Sequence, residues 1–239
     1  MLSIIIPTLN EEKVIEKTLK SLRDYKGDYE IIVSDGRSTD RTIEISKKYA
    51  DKVMVYEGIT RQTIAMGRNL GASVAKGEYL LFLDADIYIP DINIFFARAI
   101  SFFEKDSKLV GYSVYLKVFP EMANFADRFF FSLFNHMFYF LSNILHIGAS
   151  YGEFQMVRND SFKKLGGYNE KIAVAEDNEF FKRLAKSGKT IIDSKLIVYH
   201  TGRRAHKIGW PRLLVSWWVN QLSVSFLNKS YNSEWKEIR

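Results

Sequence analysis

With 239 residues the chain is long enough for one large domain or two small ones, and 47% hydrophobic against 26% charged residues excludes a disordered chain. Thirty-four Lys and Arg against 28 Asp and Glu leave +6, and the surplus is local: Ser194 to Ser233 contains no acid but carries Lys195, Arg203, Arg204, Lys207, Arg212 and Lys229. All four Trp (Trp210, Trp217, Trp218, Trp235) lie in the last thirty residues, so a neutral body ends in a basic, Trp-bearing tail suited to phosphates, a membrane surface or nucleic acid. The absence of Cys excludes disulfides, thiolate metal sites and a Cys nucleophile, and makes a cytosolic location the default. MLSIIIPTLNEE lacks the basic n-region of a signal peptide, and no apolar run reaches the ~20 residues of a membrane span.

In chain order, Leu2–Ile6 reads as a buried parallel strand stopped by Pro7. Asn10 is placed to cap a helix beginning at Glu11, with Val14, Ile15, Leu19 and Leu22 on one side. A second strand at Glu30–Ser34, a helix from Ser38 or Thr39, a third strand at Lys52–Tyr56, a helix over 60–75 and a fourth strand at Tyr79–Leu83 follow. Strands alternating with helices at this spacing predict an α/β fold with a mainly parallel sheet. A helix over 91–104 and a strand at Leu109–Val118 come next. Phe125 to Phe140 then holds eight Phe or Tyr in sixteen residues. There Arg128, Ser132, Asn135, His136, Ser142, Asn143 and His146 mark one polar stripe of a long amphipathic helix. A helix over 176–187 ends at Gly188, short strands follow at Thr190–Asp193 and Leu196–Tyr199, and Trp210–Leu227 is a last apolar helix.

Ligands of an open parallel sheet bind beyond the carboxyl ends of its strands. Those ends carry Pro7-Thr8-Leu9-Asn10-Glu11, Asp35-Gly36-Arg37-Ser38-Thr39-Asp40 and Asp84-Ala85-Asp86, with Arg68 and Asn69 on the third helix. Asp84 and Asp86 close an almost wholly apolar stretch, where two unpaired carboxylates are costly. A hard cation such as Mg²⁺ or Mn²⁺, bridging to substrate phosphates, offsets that cost. Arg203, Arg204 and Lys207 lie on a Gly-flanked segment suited to closing over a diphosphate, with no acid in the neighbouring sequence to neutralise them.

SIIIPTLNEE, IIVSDGRSTDRT, MGRNLGA, FLDAD and the later GGYNE…AEDNEFFKRL resemble family 2 inverting glycosyltransferases of the GT-A fold, a Rossmann-like α/β architecture, from about Leu2 to about His200. The resemblance implies a GT-A domain over 1–205 and transfer of a sugar from a UDP- or GDP-sugar with inversion. It implies that Pro7, Thr8, Asn10, Glu11 and Asp35 hold the base and ribose, with Arg68 nearby. Asp84 would approach ribose or metal, Asp86 would bind the metal, and His200 would complete the metal shell. Gly152 in YGEFQMV would be the turn near the donor sugar, and Glu176-Asp177 the acid pair, with Asp177 the base and Glu176 second choice. Such chemistry suits these residue types: a cation and Arg groups offset charge on the leaving diphosphate, and a carboxylate takes the acceptor's proton.

The aromatic helix (122–147) and the tail (206–239) do not match the family's motifs. Phe129, Phe130, Leu133, Phe134, Met137, Phe140, Leu141 and Ile144 form a wide apolar side, suited either to a core or homodimer seam or to a membrane interface through 125–147 and 210–229. The second reading puts the enzyme on the cytoplasmic face of a membrane, with a polyprenyl or dolichyl phosphate or a lipid-linked glycan as acceptor. Competing readings are weaker. A nucleotidyltransferase would show a Gly-rich loop where this chain has PTLNEE, and a nucleic-acid binder would show a recognition helix or RNP-like motif. An inactive GT-A scaffold protein would not need the intact Asp84-x-Asp86 and Glu176-Asp177.

Overall fold

The computed structural model describes residues 1–232 and 234; Trp235 lies outside the described residues. The chain runs β1 (Leu2–Thr8), α1 (Ile15–Leu22), β2 (Tyr29–Asp35), α2 (Thr42–Tyr49), β3 (Lys52–Val55), α3 (Ile64–Ser73), β4 (Tyr79–Leu83), α4 (Ile92–Lys105) and β5 (Leu109–Val118). It continues with α5 (Phe125–Tyr139) and a π-helical turn (Phe140–Ile144), then β6 (Phe154–Arg158), α6 (Asn159–Lys164), α7 (Glu176–Ser187), β7 (Lys189–His200), α8 (Arg203–Ile208) and α9 (Trp210–Leu227). The seven strands make one sheet in the order β3-β2-β1-β4-β6-β5-β7. Only β6 runs against its neighbours, and β5 pairs in parallel with β7, so the predicted mainly parallel sheet is observed.

β1 and β4 are buried on both faces because helices cover both, which is why their sequences read as unbroken apolar runs. Pro7 is tolerated because the β4 ladder along β1 ends at Ile5. The glycine pair of α3 lets that helix lie against β1. A Cβ at Gly71 would stand 2.4 Å from Ile5 Cγ2, and one at Gly67 would stand 3.1 Å from Pro7 Cβ. This close approach sets Arg68, one residue after Gly67, under the carboxyl end of β1.

Several local expectations are corrected. Asn10 is not a helix cap: α1 begins at Ile15, and Asn10 has φ 55° with its side-chain oxygen accepting from the Thr39 amide at 2.8 Å. The two short C-terminal strands are one strand, β7, with a register shift against β5 between Val114 and Tyr115. The Gly-flanked basic segment from Arg203 forms a short helix, entered through Gly202 (φ 66°) and left through Gly209 (φ 85°). β6, absent from the sequence reading, brings Gly152 and Glu153 to the end of β4, where the Asp84 amide donates to the Glu153 carbonyl at 3.3 Å.

The polar stripe on α5 divides. Arg128, Ser132 and His136 are exposed, but Asn135 and Ser142 are buried. Asn135 accepts from the Leu116 amide and donates to the Leu116 carbonyl, both at 3.0 Å, serving a stretch of β5 beyond its pairing with β6. Asn143 does the same for Ile192 at 2.8 and 3.1 Å, on the edge strand β7. The helix therefore turns polar groups toward the sheet, where strand backbone needs partners. The described part of the tail packs on α5: Trp210 lies against Phe130 at 4.6 Å and Phe131 at 5.3 Å, and Trp217 against Phe134 at 5.8 Å. Buried Asp127 joins these helices, accepting from Trp210 Nε1 at 2.8 Å and from the Asn124 amide at 3.0 Å, with His206 Nε2 at 2.7 Å.

Candidate active site

At the carboxyl rim of the sheet lies a cleft of about 710 Å³. Its lining includes Pro7, Thr8 and Glu11 from the end of β1, Arg68 from α3, and Asp84, Ala85 and Asp86 from the end of β4. Gly152, Glu153, Glu176, Asp177, His200, Arg203 and Arg204 also line it, and Arg61, Gln62, Asn178 and Lys182 are among its other polar residues. Pro7 and Arg204, 197 positions apart in sequence, thus share one chamber, as the position of the β1, β2 and β4 ends predicts. Asn10, Asp35 and Lys207 are outside the lining. Asp35 is fully buried beneath it: Thr8 Oγ1 donates to it at 2.8 Å, and the Ser38 amide and hydroxyl donate at 2.7 and 2.6 Å. Asp35 and Asn10 therefore shape the β1 and β2 loops from behind. Lys207 is exposed on α8.

Arg68 organises the chamber. Only 2% exposed, it donates to Glu176 at 2.8 Å and to the Gly152 carbonyl at 2.9 Å, lies 3.6 Å from Asp84, and stacks 5.1 Å from the Tyr168 ring. Gly152 is glycine for a steric reason: a Cβ there would stand 2.9 Å from an Arg68 nitrogen and 3.0 Å from Asp177 Oδ2. Glu176 and Asp177 open α7 directly after Ala175, which holds a left-handed φ of 70° unusual for a residue with a Cβ. Asp177 Oδ1 accepts from the Asn178 amide at 2.7 Å, and its carbonyl accepts from Gln155, itself bound by Tyr168 and Ser150.

On the opposite side Arg203 grips Glu11 with two bonds, 2.6 and 2.8 Å, and lies 3.5 Å from Asp86. The Thr201 hydroxyl also donates to Asp86. This corrects the expectation that no acid neutralises the basic segment: Glu11 and Asp86 come from remote sequence. His200 is buried against the Phe131 ring at 4.9 Å, and its Nε2 has no hydrogen-bond partner among the described residues.

Six carboxylates (Glu11, Asp84, Asp86, Glu153, Glu176 and Asp177) thus crowd around Arg68 and Arg203, and the protons respond. Burial pushes Glu176 up to about 7, against the pull of Arg68 and with Asp177 adding repulsion. Burial raises Asp84 and Asp177 too, again opposed by Arg68. Glu153 is pushed up to about 8 by burial and by the charge of Asp84. Sequence reasoning missed Glu153, although it adjoins Gly152 and is the lone acid between Asp127 and Asp160. Burial lowers His200 to about 4, so its imidazole is neutral at pH 7, with one basic nitrogen; Nδ1 accepts from the Gly202 amide at 3.4 Å. Burial opposes the charge of Arg203, but Glu11 and Asp86 outweigh it and hold the group protonated. Among the described residues no three His, Asp or Glu side chains lie close enough to hold a metal ion by themselves.

Comparison with known proteins bears on the family and the fold. The model of a family described as Glycosyl transferase family 2 matches residues 3–166. A "PGL/p-HBAD biosynthesis glycosyltransferase" of Mycobacterium bovis is 33% identical over 186 residues, 75% of this chain and 68% of that protein. A "Poly(ribitol-phosphate) beta-glucosyltransferase" of Bacillus spizizenii is 40% identical over 95 residues, 37% of this chain but only 15% of that protein's length. A Pyrobaculum calidifontis mannosyltransferase solved with GDP-Man and Mn²⁺ superposes with a TM-score of 0.66 at 21% identity, over 84% of this chain and 56% of its own. That likeness speaks for the GT-A architecture, while the family follows from the sequence match: the chain belongs to glycosyl transferase family 2.

Proposed function

We propose that this chain transfers a sugar, with inversion, from a nucleoside-diphosphate sugar to an acceptor oxygen, assisted by Mg²⁺ or Mn²⁺. The observation that carries the reading is the convergence of Asp84, Asp86, Glu176 and Asp177 with Arg68 and Arg203 in one cleft. The mannosyltransferase complexed with GDP-Man and Mn²⁺ supports the donor and the cation. Pro7, Thr8 and Glu11 border the nucleotide, with Asn10 and Asp35 holding their loops. Asp84 and Ala85 lie beside the ribose, and Gly152 beside the donor sugar.

The carboxylates and the imidazole gathered here suit a hard divalent cation held with the help of the substrate. Asp86 and His200 would be protein ligands, with Asp84 beside them; among the described residues the buried Nε2 of the neutral imidazole has no partner, and as a ligand it would leave the proton on Nδ1 and release the 3.4 Å bond from the Gly202 amide. Bound there, the ion neutralises charge on the departing diphosphate. Arg203 and Arg204 supply further positive charge, and Arg203 exchanges Glu11 for phosphate oxygens when the donor enters, with Lys207 at the outer edge of α8.

The acceptor oxygen bonds to the anomeric carbon as the bond from that carbon to the diphosphate oxygen breaks, with the electron pair leaving on the nucleotide. Asp177 takes the acceptor's hydroxyl proton. Glu176 is committed to Arg68 at 2.8 Å, whereas Asp177, raised by burial as Glu176 is, accepts from the Asn178 amide through Oδ1 and turns Oδ2 toward Gly152. An acceptor that is already a phosphate anion needs no base. Asp177→Asn tests the assignment: turnover falls by at least about a hundredfold with donor binding retained in calorimetry, and unchanged turnover on a hydroxyl acceptor removes Asp177 from the mechanism.

A further inference from the structure

The cleft has two unlike walls. The carboxylates and arginines form one; Phe131, Phe134, Met137, Phe138, Leu214 and Trp217, from α5 and α9, line the other. The same two helices are also apolar on their outer sides. On α5 and its π turn Phe129 is 53% exposed, and Leu133, Phe140 and Ile144 are exposed with it. On α9 Val215, Val219, Leu222 and Phe226 form an exposed line at helical spacing, Phe226 at 81%. An ordinary surface helix turns its apolar side inward. Here Asn135 and Asn143 serve the sheet, Ser142 serves the Ala149 backbone in the loop before β6, and large apolar side chains are left outside. Exposed apolar side chains in this number on two packed helices mark an interaction site.

Charge identifies the occupant. Exposed Arg212 begins the apolar line on α9, exposed Lys229 follows its end, and Arg128 is exposed on α5. An apolar face bounded by cations matches an anionic bilayer surface. None of the described helices is long and apolar enough to cross a membrane, so the two helices would lie in its plane.

Resting on the glycosyl-transfer reading, we propose that the acceptor is a membrane lipid carrying the acceptor oxygen in its headgroup. The outer face of α5 and α9 beds in an anionic bilayer, and the lipid chain runs along Phe134, Met137 and Trp217 so that its headgroup meets Asp177. The headgroup oxygen takes the acceptor's place in the displacement described above.

Flotation with phosphatidylcholine vesicles, with and without phosphatidylglycerol, tests the face. The wild type floats with the anionic vesicles. Phe129→Asp and Phe226→Asp, which lie outside the cleft lining, each lower the bound fraction by about tenfold while melting temperature and nucleotide binding stay unchanged. No flotation, or flotation untouched by both substitutions, overturns the proposal. So does sedimentation showing a wild-type dimer that these substitutions split, since a second copy then covers the face. Calorimetry with dodecyl phosphate and ethyl phosphate tests the inner wall. The long-chain probe binds at least about tenfold more tightly, and Met137→Glu abolishes that difference; equal affinity for the two probes overturns the chain subsite. Nucleotide binding is scored separately: a wild type that floats but binds no nucleoside diphosphate refutes the donor reading, not the membrane face.

Discussion

Raising the pH from 6.5 to 8.5 without ligand is expected to weaken the fold by about 2 kcal/mol. In the folded chain Glu153 is pushed up to about 8 and Glu176 to about 7, whereas an unfolded Glu titrates near ~4.3. A raised folded pKa means the fold binds the proton more tightly than the unfolded chain does. That stabilisation is complete below the unfolded value and is lost as pH rises through the folded one. Across this interval linkage gives about 2 kcal/mol for Glu153 and about 1 kcal/mol for Glu176; the total is reduced because Glu153 keeps part of its surface in the open cleft. His200, lowered to about 4, has the opposite sign and acts below the interval. For a chain of this size the loss corresponds to roughly 4–8 °C in melting temperature. Calorimetric melts at constant ionic strength would follow it, with Glu153→Gln removing the larger part of the slope. A melting temperature flat over this range, or a Glu153→Gln slope equal to wild type, would refute the crowding of carboxylates on which the site rests.

Gly152→Ala is expected to push the added methyl group into Arg68 and Asp177, costing about 1–3 kcal/mol and lowering kcat more than donor affinity; thermal melts and steady-state kinetics check both. Arg68→Met leaves Glu176 buried without its partner, a loss of about 3–5 kcal/mol, of which Arg68→Met/Glu176→Gln recovers part. A double variant no more stable than the single one would show that Glu176 is not the group Arg68 holds.

Legibility of the fold followed the length and burial of each element. β1 and β4 are buried on both faces, so their apolar runs and the polar residues after them placed the site's rim. Five-residue β6 offers neither a long run nor alternation, yet it delivers Glu153 to Asp84. Asn10 resembles a cap in its local sequence, but Ser38 and Thr39, on the neighbouring β2–α2 loop, claim it first. The apparently unneutralised charge of Arg203 was a statement about chain neighbours, and its partner Glu11 lies 192 positions away. The polar stripe of α5 was visible as a stripe; which side faced the sheet depended on the unpaired backbone of β5 and β7, which no helical pattern encodes.

The central claim, a cation-assisted nucleoside-diphosphate site at the ends of β1 and β4, is tested most directly by titrating GDP and UDP into the protein with Mn²⁺ and with chelator. The wild type should bind one of them at least about tenfold more tightly with Mn²⁺, and Asp86→Ala should lose that gain while keeping its fold. Equal affinity under both conditions, or an Asp86→Ala protein that responds to Mn²⁺ as the wild type does, would contradict it.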